Sequence, residues 1–314
     1  MNPATKNLYT QYNPWLLLII TLGITMVGFQ FIGAFIGIAF ALFAYPGDFQ
    51  SFFPALLDPT SDELMRSPLL IMQGIGSFIG FIFLPWLLMK YIYKGGLSEL
   101  TIRVTSPNLL MLSIFIVLFF MGFNAPFIEW NQNISLPESF AGIEDKLRAL
   151  EDTLAKTTIF ITKFDSTSQL ILGVIVVAII PGIGEEFVFR GLVQNHIYRI
   201  SKNIHVAIWV GAFLFSLFHL QFYGLIPRMF LGVMFGYLYY FSGNIIYPMI
   251  AHFFNNGFTL IMLYLYQQNI VDFNIEETDV LPWPQVIFAT GITILLFFIF
   301  QKHAKKVITD EQLG

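Results

Sequence analysis

Residues 170–199 read LILGVIVVAIIPGIGEEFVFRGLVQNHIYR, and this stretch decides the fold. From Leu170 to Ile183 it carries no charge, then Glu185 and Glu186 follow each other, with Arg190 four positions after the second. A membrane-spanning helix needs about 20 predominantly apolar residues. Ionisable groups at that depth are costly and are kept for pairing or chemistry. Two later apolar segments add His219 and the pair His252 and Asn256.

The rest of the chain fits a membrane setting. Of 314 residues, 56% are hydrophobic and only 11% charged, and the mean hydropathy is +0.70. Soluble domains carry about 25% charged residues, so an integral membrane protein is expected. A net charge of −4 offers nothing to nucleic acid. The absence of cysteine removes disulfides, iron–sulfur clusters and a thiol nucleophile. Any metal must then take His, Asp, Glu, Asn or water.

Apolar runs predict an all-α, polytopic fold of about eight transmembrane helices, near 15–45, 67–92, 108–127, 170–199, 204–221, 223–242, 244–267 and 283–302. The first run is too long for a signal-peptide core and is read as a retained helix, long enough to tilt or kink. Lys6, Lys90, Lys94, Arg103, Arg199, Lys202, Lys302, Lys305 and Lys306 fall on one set of ends. Asp48, Asp58, Asp62, Glu63, Asp272, Glu276, Glu277 and Asp279 fall on the other. Basic loops stay in the cytoplasm, so both termini are expected inside. The chain reads as a single membrane domain, 1–314. Within it, 130–165 is an extramembrane amphipathic segment, with Ile143, Leu147, Leu150 and Leu154 at helical spacing. Glu144/Arg148 and Asp152/Lys156 stand four apart on that segment. It is expected to rest on the protein or the headgroups, with a lid or a dimer contact as other uses.

The polar residues converge by simple counting. Glu185 lies as far before Lys202 as His219 lies after it, so across a tight hairpin both sit about 22 Å from the turn. Counted from a turn at Gly243, His252 and Asn256 lie about 13 and 19 Å deep. Glu186 and Arg190 share a helix face and are expected to pair. Glu185, about 100° round the helix, has no cation on its own helix and is the freer carboxylate. Gly232 and Gly236 are read as a close-packing GxxxG. Arg228 is expected to snorkel. Gln73, Asn195, His196 and Asn255 are further polar positions. No HExxH helix, no GxSxG elbow and no aspartate within a span is present, which disfavours zincin, serine and aspartyl proteolysis.

Three motifs stand in order here. Glu185-Glu186-Phe187-Val188-Phe189-Arg190-Gly191 resembles the EExxxRG motif of the CPBP family of intramembrane proteases, which holds the type II CAAX prenyl proteases and the abortive-infection or bacteriocin-processing proteins. Phe215-Ser216-Leu217-Phe218-His219 resembles its FxxxH motif, and His252-Phe253-Phe254-Asn255-Asn256 its HxxxN motif. The likeness covers about 165–265, the expected catalytic core.

The resemblance implies an eight-helix intramembrane endopeptidase. In it Glu185, aided by His219, activates water, while His252 and Asn256 donate to the oxyanion. Glu186 and Arg190 hold the site in shape. Glu185, His219 and His252 could also supply three ligands to zinc or another divalent metal, and a metal-free route stands equally open. The expected substrate is a peptide or membrane protein met in the bilayer of a bacterial inner membrane, with a homodimer as an open assembly. Two other classes stay in play: a non-catalytic scaffold or bacteriocin-immunity protein, and a proton- or ion-coupled transporter.

Overall fold

The computed structural model describes residues 12–95, 100, 105–273 and 281–313. Among them there is no β-strand, and the chain runs as helices α1 (Pro14–Ala44), α2 (Phe49–Leu57), α3 (Glu63–Tyr91), α4 (Pro107–Gln132), α5 (Ala141–Ile161), α6 (Thr167–Ser201), α7 (Ile204–Leu217), α8 (Leu225–Ser242), α9 (Ile246–Gln267) and α10 (Trp283–Leu313). Five of these, α1, α3, α4, α6 and α10, include a stretch long and apolar enough to cross a membrane. This is a multi-pass membrane architecture. Helix α7 is apolar but only 14 residues long. Helices α8 and α9 fall outside the set of five, and they carry Arg228, His252, Asn255 and Asn256. Lys6, Arg103, Glu276, Glu277 and Asp279, which entered the charge asymmetry, lie outside the described residues.

Local chemistry sets the turns. Lys202 closes α6 in the left-handed region (φ 58°), and the Asn203 side chain then accepts from the N–H groups of His205 and Val206 to cap α7. Gly243 closes α8 at φ 64°, where a glycine is least strained. The Asn244 side chain accepts from Ile246 N–H at 2.9 Å as α9 begins.

Two expectations are corrected. Helix α7 ends at Leu217 rather than near 221, because Leu220 turns to φ 56° and the chain leaves the helix. His219 therefore sits in a turn beyond the helix end. Helix α2 was not anticipated; nine residues with Pro54 inside fall well short of a span.

Four π-helical turns interrupt the long helices: Gly28–Gly33 in α1, Phe78–Phe83 in α3, and Val174–Ile179 and Phe187–Val193 in α6. They have a packing use. In a regular α-helix, positions five apart lie about 140° apart in phase. A turn closed i→i+5 brings them back to one face. Gly28 and Gly33 thereby both face α3, meeting Gly80 and Gly76, and Gly37 meets Met72. Between apolar helices in lipid, close approach through small residues supplies the attraction.

The backbones touch so closely that added bulk has nowhere to go. A Cβ at Gly80 would lie 2.7 Å from the backbone nitrogen of Phe29. Gly80→Ala is expected to cost about 1–3 kcal/mol, the usual range for overpacking. Thermal unfolding of the detergent-purified protein should show a fall of a few degrees; an unchanged Tm would contradict this contact.

Candidate active site

Helix α6 presents both carboxylates. It reaches α9 where Gly182 allows direct backbone contact: a Cβ there would lie 2.9 Å from Phe253 N. One turn later Glu186 is fully buried, and its Oε1 accepts from Arg190 Nη1 at 2.8 Å and from His252 Nδ1 at 2.8 Å. The expected Glu186–Arg190 pair is present, and it extends to a second helix. Arg190, 2% exposed, donates its Nη2 to the Gly232 carbonyl at 3.1 Å. Its guanidinium lies over the Phe215 and Phe235 rings, 4.4 and 5.3 Å from the centroids. A cation away from water gains from such ring faces.

Glu185 is differently placed. Its side chain is 14% exposed, and Oε2 stands 3.9 Å from His252 Nε2, beyond hydrogen-bond range. His252 stacks on Phe235 at 5.0 Å between centroids and meets Phe215 edge-on. Because Nδ1 donates to Glu186, Nε2 can donate only when both ring nitrogens carry protons.

His219 donates Nδ1–H to the Phe215 carbonyl at 3.0 Å. That acceptor fixes the tautomer and leaves Nε2 as an acceptor in the neutral ring. Phe215 thus touches Arg190, His219 and His252, joining all three polar groups through one ring.

Asn256 donates Nδ2 to the Val177 carbonyl at 3.0 Å and accepts from Asn255 Nδ2 at 3.1 Å. The residue four past Val177 is Pro181, which has no N–H to return. Asn256 thus ties α9 to the Val177 carbonyl of α6 and keeps one N–H in reserve.

One residue of this region, Gln194, escaped the sequence reading. Gln194, four after Arg190, donates to the Gly236 carbonyl at 3.4 Å, so Arg190 and Gln194 read successive α8 carbonyls at Gly232 and Gly236. The GxxxG is therefore more than a packing surface; a Cβ at Gly232 would lie 3.0 Å from Arg190 Nη2. The 186–190–194 spacing on one face was the available signal. Arg228, expected to snorkel, donates Nη2 to Gln221 Oε1 at 2.8 Å, and its Nη1 is shut off from solvent. Counted back from Gly243 it sits about 22 Å from the turn, level with Glu185. His196 lies apart, with Tyr93 and Thr21, and Asn195 bonds the Gly191 carbonyl.

No three His, Asp or Glu side chains gather as a metal-binding group among the described residues. The set Glu185, His219 and His252 is not drawn together, and one nitrogen of His252 is already committed to Glu186.

Residues 167–258 match the family model described as Type II CAAX prenyl endopeptidase Rce1-like. The match spans all three motifs and agrees with the family resemblance they carry. No curated protein and no solved structure matches the chain.

The buried pair should be fragile to one-sided change. Arg190→Met leaves Glu186 and His252 without their cation. The expected loss is about 3–5 kcal/mol, the scale for breaking a buried pair. Denaturant unfolding of the purified variant checks this, and a loss under about 1 kcal/mol would mean that the pair is no mainstay.

Proposed function

We infer that this chain, whose residues 167–258 match the Rce1-like type II CAAX prenyl endopeptidase family model, hydrolyses a peptide bond of a membrane-associated substrate, with Glu185 activating the water. One observation carries the assignment: of two adjacent carboxylates, Glu186 is spent on Arg190 and His252 while Glu185 holds no hydrogen bond among the described residues.

The proposed step uses these groups in turn. A water held between Glu185 and the acceptor nitrogen Nε2 of His219 gives a proton to the Glu185 carboxylate as its oxygen attacks the peptide carbonyl carbon. The carbonyl π electrons move to oxygen. The reserved N–H of Asn256, and Nε2–H of His252 when that ring is doubly protonated, donate to the oxyanion. Collapse re-forms the carbonyl and breaks the C–N bond, and the proton on Glu185 passes to the leaving amine. Atoms and charge balance with water as the only co-reactant. Arg190, Glu186 and Phe215 hold the three polar groups in register.

A divalent metal at Glu185, His219 and His252 is the competing route, and those side chains would have to close up around it. On the side-chain reading, activity survives prolonged chelation. Loss on chelation with recovery on adding zinc would install the metal. The same reading places the chain in a bacterial inner membrane with both termini in the cytoplasm.

Glu185→Gln and His219→Ala are each expected to lower cleavage of a membrane peptide by about 10²–10⁴-fold, the range for a lost acid–base group. Both purified variants should remain folded, which their thermal unfolding transitions check. Undiminished cleavage by Glu185→Gln would sink the mechanism.

A further inference from the structure

His219 stands on a turn that its own stretch of sequence does not favour. Just past the end of α7, the N–H groups of His219 and Leu220 reach back to the Ser216 and Leu217 carbonyls at 3.2 and 3.0 Å. Leu220 then takes φ 56°, a left-handed backbone that a residue with a side chain seldom adopts. Its side chain is 52% exposed, so side-chain packing does not hold the backbone there. Such a conformation persists only where the surroundings fix it.

The surroundings here are hydrogen bonds from other helices to the residues just beyond Leu220. Asn131 of α4 donates Nδ2 to the Phe222 carbonyl at 3.1 Å and accepts from Ile226 N–H at 2.8 Å. The first residue after the reversal, Gln221, is held from α5: its Nε2 donates to Glu151 Oε1 at 3.1 Å. Glu151 Oε2 accepts from the Tyr223 N–H at 3.3 Å. One carboxylate thus grips the chain on both sides of Phe222. Arg148, also on α5, lies over the Tyr223 ring at 4.3 Å. Arg228 Nη2 donates to Gln221 Oε1 at 2.8 Å and so steadies the same side chain from α8.

Helix α5 is fastened so that it can bear on this segment. Ile161 is its only buried residue, so it is no core helix, yet both its ends are tied. Toward the N-terminal end Glu144 accepts from Leu136 N–H at 2.7 Å, and Arg148 donates to the Ile134 carbonyl at 3.0 Å. At the C-terminal end the Arg66 guanidinium of α3 lies 5.4 Å from the Phe160 ring centroid, and Gln267 of α9 donates to the Thr162 carbonyl at 3.2 Å. Glu151 falls between the two attachments.

We propose that Glu151 is a positioning residue for the hydrolytic site: it ties α5 across residues 221–223 and so holds the left-handed turn at Leu220, with His219 before it. Helix α5 is then a strap whose release loosens His219 without touching Glu185. The proposal rests on the reading of His219 as the second partner of the attacking water.

The test uses Leu220→Gly in the full-length purified protein. Glycine takes positive φ without strain, so in that background the turn no longer needs to be held. In peptide cleavage, Glu151→Ala should lower kcat on the order of 10-fold, short of the roughly 10²-fold of a group displaced by a full ångström, with KM little changed. In the Leu220→Gly background the same substitution should cost under about 3-fold, because the two positions are coupled through the turn. Equal losses in both backgrounds, or a rise in KM at constant kcat, would overturn the proposal. By hydrogen–deuterium exchange, Glu151→Ala should speed exchange over 217–224 while 205–216 of α7 keeps its protection. Unchanged exchange over 217–224, or loss of protection through all of α7, would overturn it too. If Glu151→Ala does not fold, Glu151→Gln, which keeps one accepting oxygen, is measured on the same criteria. Should the wild type cleave no peptide, the hydrolytic reading fails, while exchange still decides whether α5 holds the His219 turn.

Discussion

The buried contact between Glu186 and Arg190 organises this molecule. A carboxylate and a guanidinium withdrawn from water lose hydration worth several kcal/mol each, and only good geometry with further partners makes up for it. Here the further partners are other helices. Glu186 reaches α9 through His252, and Arg190 reaches α8 through the Gly232 carbonyl and α7 through the Phe215 ring. One ion pair on α6 thus registers three neighbours at the depth where the motif residues lie. A lysine at position 190 would keep the charge and lose the planar surface that lies over Phe215 and Phe235, along with the second donor.

Around this polar centre the helices approach through glycine. Gly182 admits Phe253 of α9, Gly184 admits Phe81 of α3, and Gly236 admits Ile208 of α7. Lipid chains are as apolar as leucine, so burying apolar surface gives little drive once the helices are in the bilayer. Close contact and interhelical hydrogen bonds take its place, and both need small residues. The π turns belong to the same scheme. They shift helical phase so that glycines not at α-helical spacing still share one face.

Much of this was legible in the chain. The turns near Lys202 and Gly243 follow from counting along the apolar runs, and those runs locate α1, α3, α4, α6 and α10. Glu186–Arg190 follows from the i, i+4 rule. The parts that were not legible depend on a partner elsewhere in the chain or on a break in helical period. Nothing local says that α7 stops at Leu217, because the positive φ of Leu220 is imposed by the turn into α8. Periodicity assumes a constant 3.6-residue turn, so it cannot register π turns such as Gly28–Gly33. Gln194 is informative only once α8 is known to lie beside α6. Arg228 looked like a chain-end cation until Gln221 and Glu151 were seen to hold it.

Asn256 shows how support and chemistry share one side chain. Asn256 Nδ2 donates from α9 to the Val177 carbonyl of α6, one turn before Pro181. Asn255 occupies the amide oxygen, so the Asn256 amide cannot turn over without losing two bonds. The remaining N–H therefore has a fixed direction. In the hydrolytic reading that is what an oxyanion donor needs, since a donor aligned beforehand loses nothing to reorganisation when charge develops. In that reading the Val177 carbonyl, on the helix of the glutamates, orients the amide of α9 that would stabilise the oxyanion. In the hydrolytic reading, loss of the Val177 and Asn255 bonds would free the amide to rotate and weaken the step without removing the donor itself.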